Sequence, residues 1–129
     1  MFYPPIEKII EYNFIVLNII KVKKADKSEV LSKQKLLDIV KGCKNLKGDV
    51  YDKAAFLLKE LIQQHPFASG NRRTAFVVTK YFVLKNKGKF KIKDDPKQAR
   101  TMLGIRESYY SDEEIREWIK NGKIRKFER

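Results

Sequence analysis

The chain has 129 residues, long enough for one domain with a single core and too short for a comfortable second one, so a single domain over residues 1–129 is expected. Its 29 Lys and Arg stand against 16 Asp and Glu, a formal charge of +13 that favours acidic partners. One cysteine, Cys43, and one histidine exclude an intrachain disulfide and a zinc cluster, and point to a reducing compartment.

Pro4-Pro5 makes an extended entry, after which Ile6, Ile9, Ile10, Phe14, Leu17 and Ile20 recur at helical spacing and predict an amphipathic first helix with these residues inward. The apolar run 14–20 within it is far short of the roughly 18 residues a membrane span needs, and no charged leader precedes it, so a cytoplasmic protein without a membrane anchor is expected. Residues 21–28 read as a charged connection. A second helix is expected over about 29–41, with Leu31, Leu36, Leu37 and Val40 inward and Gly42 as its stop. Residues 44–48 read as a loop.

From Asp49 the positions Val50, Ala54, Leu57, Leu58, Leu61 and Ile62 mark a third helix ending near Gln64, because Pro66 disfavours helical backbone at His65. Thr74, Ala75, Val77, Val78, Tyr81, Phe82 and Leu84 fill most of the circumference of a fourth helix, which is expected to be central and to end at Asn86-Lys87-Gly88. Residues 88–93 alternate like a strand but are too short to build a sheet, and read as an extended connector or hairpin arm. Asp95-Pro96 opens a short fifth helix through Leu103. Ser111-Asp112-Glu113-Glu114 is a capping box for a sixth, bearing Ile115, Trp118 and Ile119 and closed by Asn121-Gly122. Tyr109, Tyr110 and Trp118 are expected to be core aromatics, and the basic residues 123–129 a mobile tail. The fold class is all-α, with a central helix–loop–helix.

The loop between the third and fourth helices concentrates chemistry. His65-Pro66-Phe67-Ala68-Ser69-Gly70-Asn71-Arg72-Arg73-Thr74-Ala75 holds the only histidine, a glycine turn, an amide and two adjacent arginines. A helix N-terminus leaves backbone N–H groups unpaired, carries partial positive charge and binds anions readily. Arg72 and Arg73 add forked donors suited to phosphate oxygens, and His65 can exchange a proton near neutral pH. Phe67 is expected to plug the loop into the core.

This string resembles the Fic/Doc signature, His-x-Phe-x-acid-Gly/Ala-Asn-x-Arg. Arg72-Arg73-Thr74-Ala75 looks like the Doc (death-on-curing) branch, and Tyr51-Asp52-Lys53-Ala54-Ala55-Phe56-Leu57-Leu58 and Phe82-Val83-Leu84-Lys85-Asn86-Lys87-Gly88 also resemble Doc-type sequences, so the likeness covers about residues 50–90. The resemblance implies a nucleotide-dependent transferase acting on a protein hydroxyl. It would use ATP and Mg²⁺, with His65 as base, Arg73 stabilising charge on the transferring or leaving group, and Ser69, Gly70, Asn71, Arg72 and Arg73 binding phosphate. It also implies a flap before the central helix pair, which places target docking within residues 29–48. Ser69 departs from the pattern, standing where the family carries an acidic metal ligand; a hydroxyl would hold Mg²⁺ weakly, through water.

Arg72 in place of a small Gly, and Phe76 where Fic proteins carry a second Arg, bring the chain nearer the branch associated with phosphorylating a translation elongation factor. The expected function is therefore a Doc-like toxin moving a phosphoryl group from ATP to a Ser or Thr hydroxyl, restrained by a separate antitoxin, since no Ser/Thr-x-x-x-Glu-Gly/Asn inhibitory helix is evident. Two alternatives stand beside it: AMP transfer of the Fic type, and a catalytically degenerate Fic-fold module that only binds. Nucleic acid is compatible with the charge but not required by it, because the lysines run from Lys8 to Lys126 without a nucleic-acid-reading motif.

Overall fold

The structure, a computed structural model, describes residues 1–19 and 28–128. Six helices follow in order: α1 (Ile6–Ile19), α2 (Lys33–Asn45), α3 (Val50–Gln63), α4 (Asn71–Lys85), α5 (Pro96–Arg106) and α6 (Asp112–Asn121). Among the described residues there is no strand, only an isolated antiparallel bridge between Val30 and Phe67. The fold is all-α, as the periodicities predict. The expected apolar position Ile20 and most of the connection 21–28 lie outside the described residues.

Local chemistry explains the helix starts. Ser32, Asp49, Asp95 and Ser111 each accept a hydrogen bond from a backbone N–H of the first turn that follows, and Asp49/Asp52 and Ser111/Glu114 form complete capping boxes. Pro96, whose missing N–H costs nothing in a first turn, follows Asp95. Gly122 closes α6 at φ +73°, a backbone state that costs a residue with a Cβ.

Helices α4 and α3 are both central, as the expected helix–loop–helix requires, and of the two α3 has the wider set of neighbours. It touches α2, α4, α5 and α6, whereas α1 lies on α4. Ala54 and Ala55 let neighbours approach, and Leu57, Leu58, Leu61 and Ile62 are buried around nearly the whole helix. In α4, Lys80, Leu84 and Lys85 face solvent, so its apolar circumference is incomplete. Lys53 is also buried in α3. Its ammonium donates to the carbonyls of Cys43, Lys44 and Leu46, which a helix end leaves open, so the charge completes the C-terminus of α2. Burial pushes the Cys43 thiol up to about 11, and a thiol held protonated is inert.

Helix α2 starts four residues later than expected. Residues 29–32 are instead drawn into backbone hydrogen bonds with the loop after α3, which compete with helical pairing, and Leu31 consequently sits exposed. Leu37 is exposed as well; Ile39 and Cys43 join Leu36 in the core. Gly42 does not stop the helix. A Cβ there would stand 2.7 Å from the Phe56 ring, so the glycine serves the close approach of α2 to α3. In α1, Phe14 points outward, and the buried polar Asn13 takes the inward place.

The C-terminal part is also tighter than its charge suggests. Residues 88–93 form the extended connector without a hairpin partner, Ile92 inward, with Lys91 N–H donating to Ile119 O. The basic tail packs down: Phe127 is buried, Arg100 donates to its carbonyl, and Arg125 pairs with Glu114. Tyr110 and Trp118 are core residues, and Tyr109 stacks edge-on to both Tyr110 and Phe127. Arg116 of α6 bridges Asp49 and Asp52 at the start of α3.

Helix α4 ends in paired bonds from Gly88 N–H to Val83 O and Lys87 N–H to Leu84 O, with Lys87 at φ +63°. That place in a helix terminus suits glycine, yet here glycine occupies the next position. Replacing Lys87 with Gly should stabilise the fold by about 0.5–1 kcal/mol, a rise of a few degrees in Tm by calorimetry, because it removes a left-handed side-chain penalty of about 1 kcal/mol. An unchanged or lowered Tm would show that the strain is relieved elsewhere.

Candidate active site

The loop from α3 to α4 is fixed by one side chain. Asn71, the first residue of α4 and buried, accepts from Phe67 N–H through Oδ1 at 3.0 Å and donates through Nδ2 to Phe67 O at 2.8 Å. These two bonds satisfy the backbone of a residue whose ring is 1% exposed, confirming Phe67 as the plug. Nδ2 also lies 3.1 Å from His65 Nδ1. Because the Phe67 backbone sets which end of the amide is which, the group facing His65 is a donor. Nδ1 therefore accepts, and the neutral ring carries its proton on Nε2.

His65 itself is exposed and sits at φ +49°, directly after Gln64 closes α3 onto Glu60 O. A non-glycine residue in this region stores strain, which persists only where the surroundings hold it. Here Pro66 blocks helical continuation on one side and Asn71 holds the ring on the other.

Two further layers hold the loop. Pro66 O accepts from Leu31 and Ser32 N–H, and Ala68 N–H donates to Glu29 O, so residues 29–32 run beside the motif as a short flap. From the opposite side Asn13 Nδ2 donates to Ser69 O at 2.9 Å and to Thr74 Oγ1 at 3.0 Å, while Ser28 Oγ donates to Asn13 Oδ1. Gly70 turns the chain at φ +75°, and a Cβ there would meet Leu17 Cδ2 at 3.0 Å and Asn13 Nδ2 at 3.3 Å. A side chain there would press on those two side chains and would also have to adopt the left-handed backbone that favours glycine.

The electrostatics suit an anion. The first intrahelical bond of α4 runs from Thr74 N–H to Gly70 O, which leaves the N–H groups of Asn71, Arg72 and Arg73 ahead of it, and Gly70 offers no side-chain cap. Arg72 and Arg73 are exposed and belong to no ion pair among the described residues. His65 and Asn71 are thus in contact, with Ser69, Gly70, Arg72 and Arg73 along the same loop and first turn.

A divalent cation fits less well. Among the described residues no group of three or more His, Cys, Asp or Glu is placed to hold a metal, and the loop from His65 to Ala75 contains no carboxylate. Mg²⁺ is held through carboxylates together with substrate phosphates, and the loop itself offers no such ligand.

Sequence reading misses two contributors. Asn13 sits among apolar positions of α1, where only the tertiary structure brings it to Ser69 and Thr74. Lys35, an unremarkable surface lysine in sequence, donates its ammonium to Gln64 O at 2.8 Å and so places a cation beside the backbone of His65.

Asn71→Ala leaves Phe67 N–H and O buried without partners. At about 1–3 kcal/mol for each of the two orphaned groups, the variant should lose about 2–6 kcal/mol of stability, read as a lower midpoint in urea unfolding. A loss under about 0.5 kcal/mol would show that water satisfies these groups, and that Asn71 is not what holds the loop.

No curated protein matches the chain. A model of the Fic/DOC family matches residues 21–83, reaching upstream of the segment on which the resemblance rests and taking in the whole motif from His65 to Arg73. With that motif set between two packed helices, residues 21–83 carry a domain of the Fic/Doc family.

Proposed function

We propose that the chain transfers a phosphoryl group from ATP to a Ser or Thr hydroxyl of a protein. Fic/Doc proteins are in general nucleotide-dependent transferases; the finer assignment rests on the loop. The observation that carries it is the union, through Asn71, of a strained, exposed His65 with an uncapped helix N-terminus flanked by two unpaired guanidiniums.

Such a transfer needs the acceptor hydroxyl aligned with a phosphorus atom, a group to take its proton and fixed positive charge around the phosphate oxygens. The N–H groups of the first turn of α4, with Arg72 and Arg73, supply that charge. The acceptor oxygen attacks the γ-phosphorus, the bond to the bridging oxygen breaks and ADP leaves, while His65 takes the hydroxyl proton. In the resting geometry Nδ1 is engaged by Asn71 and Nε2 already bears a proton. Proton acceptance therefore requires the ring to turn away from Asn71, which gives up one hydrogen bond worth about 1 kcal/mol.

Arg72 favours γ over α transfer. A bulky guanidinium occupies the position where a Gly would leave room for the nucleotide pose that presents its α-phosphate. An acidic inhibitor chain is the proposed partner. Phe14, Ile15 and Ile19 on the exposed face of α1, and Leu31 on the flap, leave apolar surface on the two elements that border the loop, which supports a protein covering it. A translation elongation factor is the proposed target class, inherited from the Doc resemblance, and a cytoplasmic location accords with it; no described helix is long and apolar enough to cross a membrane.

His65→Ala should abolish transfer and growth arrest while leaving Tm within a few degrees, since the side chain is exposed. Retained toxicity or turnover would remove His65 from the base role. ATP labelled at the α or γ position distinguishes the transferred group on candidate translation factors: γ label is expected, AMP attachment would overturn it, and Arg72→Gly should shift product toward AMP.

Ser69→Asp should add the missing carboxylate and make ATP turnover rise more steeply with Mg²⁺. Equal metal dependence in both forms would show that position 69 does not serve the ion.

A further inference from the structure

Residues 87–93 present a row of charge that the nucleotide site does not use. The segment alternates: Phe90 packs edge-on against Phe76 and Ile92 is buried, while Lys87, Lys89, Lys91 and Lys93 are exposed. It is held rigidly. Gly88 N–H donates to Val83 O, Lys89 N–H to the Tyr51 hydroxyl and Lys91 N–H to Ile119 O, and α6 comes so close that a Cβ on Gly122 would stand 2.8 Å from Lys91 O. None of the four ammoniums belongs to an ion pair among the described residues. The acids that follow are engaged: Asp95 caps α5 and Asp94 accepts from Gln98. Lys120 lies over the Tyr51 ring beside the same segment and extends the positive field.

Four unneutralised like charges on a fixed backbone repel one another, which is unfavourable unless a polyanion meets them. Lys89, Lys91 and Lys93 lie on the extended part, where alternate residues are about 6.6 Å apart, and Lys87 joins them from the turn that ends α4. Each strand of a nucleic-acid duplex rises about 3.4 Å of axis per phosphate while turning about a tenth of a turn, so successive phosphates lie about 6–7 Å apart through space. A membrane surface would be met by charge together with an apolar anchor, and here Phe90 and Ile92 turn inward. The row also lies at the far end of α4 from the motif, about 21 Å away for a helix of 15 residues.

We propose that Lys87, Lys89, Lys91 and Lys93 form a docking strip for the phosphate backbone of a nucleic-acid duplex, without reading its bases and independently of the nucleotide site. Such binding positions the protein on the duplex through point charges alone.

Fluorescence anisotropy with a labelled mixed-sequence DNA duplex tests this across a salt series. Four neutralised phosphates give a slope of log K against log salt of about −3.6. The variant carrying Lys→Gln at 87, 89, 91 and 93 should flatten the slope by about 3 to 4 and weaken binding on the order of a hundredfold near 0.1 M salt. A second variant, Lys→Gln at 33, 41, 47 and 126, removes the same charge from scattered exposed sites and should keep most of the affinity. Circular dichroism shows that both remain helical. Equal loss in the two variants would mean that net charge alone binds and would overturn the strip. So would no binding of the parent protein at low salt, or binding to phosphatidylserine vesicles in place of the duplex.

Discussion

Everything at the α3–α4 loop depends on the Asn71 carboxamide meeting both backbone groups of Phe67. A buried N–H and C=O without partners would destabilise the fold by several kcal/mol together, so the amide cannot rotate or leave. The same rigidity decides three other things. It seats the Phe67 ring in the core, starts α4 at a fixed point, and turns an N–H toward His65. A short polar side chain at the first position of a helix thereby converts core packing into placement of a reactive ring.

The supports around it are polar but complete. Asn13 uses both ends of its amide on Ser69, Thr74 and Ser28, and the flap's backbone pairs with Pro66 and Ala68. A buried polar network favours one structure only when its members are satisfied, since a half-satisfied one costs more than apolar packing. That condition is met beside the loop, while the groups left open, His65 Nε2, the first-turn N–H groups of α4 and the two guanidiniums, are those aimed at solvent. Rigid support beneath and unsatisfied donors above is the arrangement a preorganised anion site requires.

Much of this was legible in the chain because the signals are local. The capping box at Ser111 and Glu114, the helix exit forced by Pro66 and the plug at Phe67 each follow from residues a few positions apart, and each appears as expected. Errors arose where long-range pairing wins over periodicity. Val30, Leu31 and Ser32 satisfy helical spacing, but hydrogen bonds to Pro66 and the bridge to Phe67 pull them into a flap and move the start of α2 to Lys33. Phe14 satisfies the apolar stripe of α1, yet it is Asn13 that turns inward, because a buried amide with partners on two other elements outweighs burial of one ring. Gly42 reads as a stop, but the Phe56 ring that explains it lies in another helix. Arg125 and Phe127 were unreadable as anchors for the same reason: their partners are Glu114, Tyr109 and Arg100.

The proton inventory of His65 gives the site its remaining character. With Nδ1 accepting from Asn71, the ring carries a proton on Nε2 and has no free lone pair in this geometry. Taking the acceptor's proton needs the ring to turn, and the exposed side chain forfeits only one hydrogen bond of about 1 kcal/mol in doing so. That is small against the 8 kcal/mol or so by which even modest enzymes lower their barriers. The larger share must come from fixed charge: two guanidiniums and the partial charge of a helix N-terminus, already in place before any ligand arrives. In a loop without a carboxylate, no acidic side chain of the loop offsets those positive groups, which is the electrostatic condition an anion site requires.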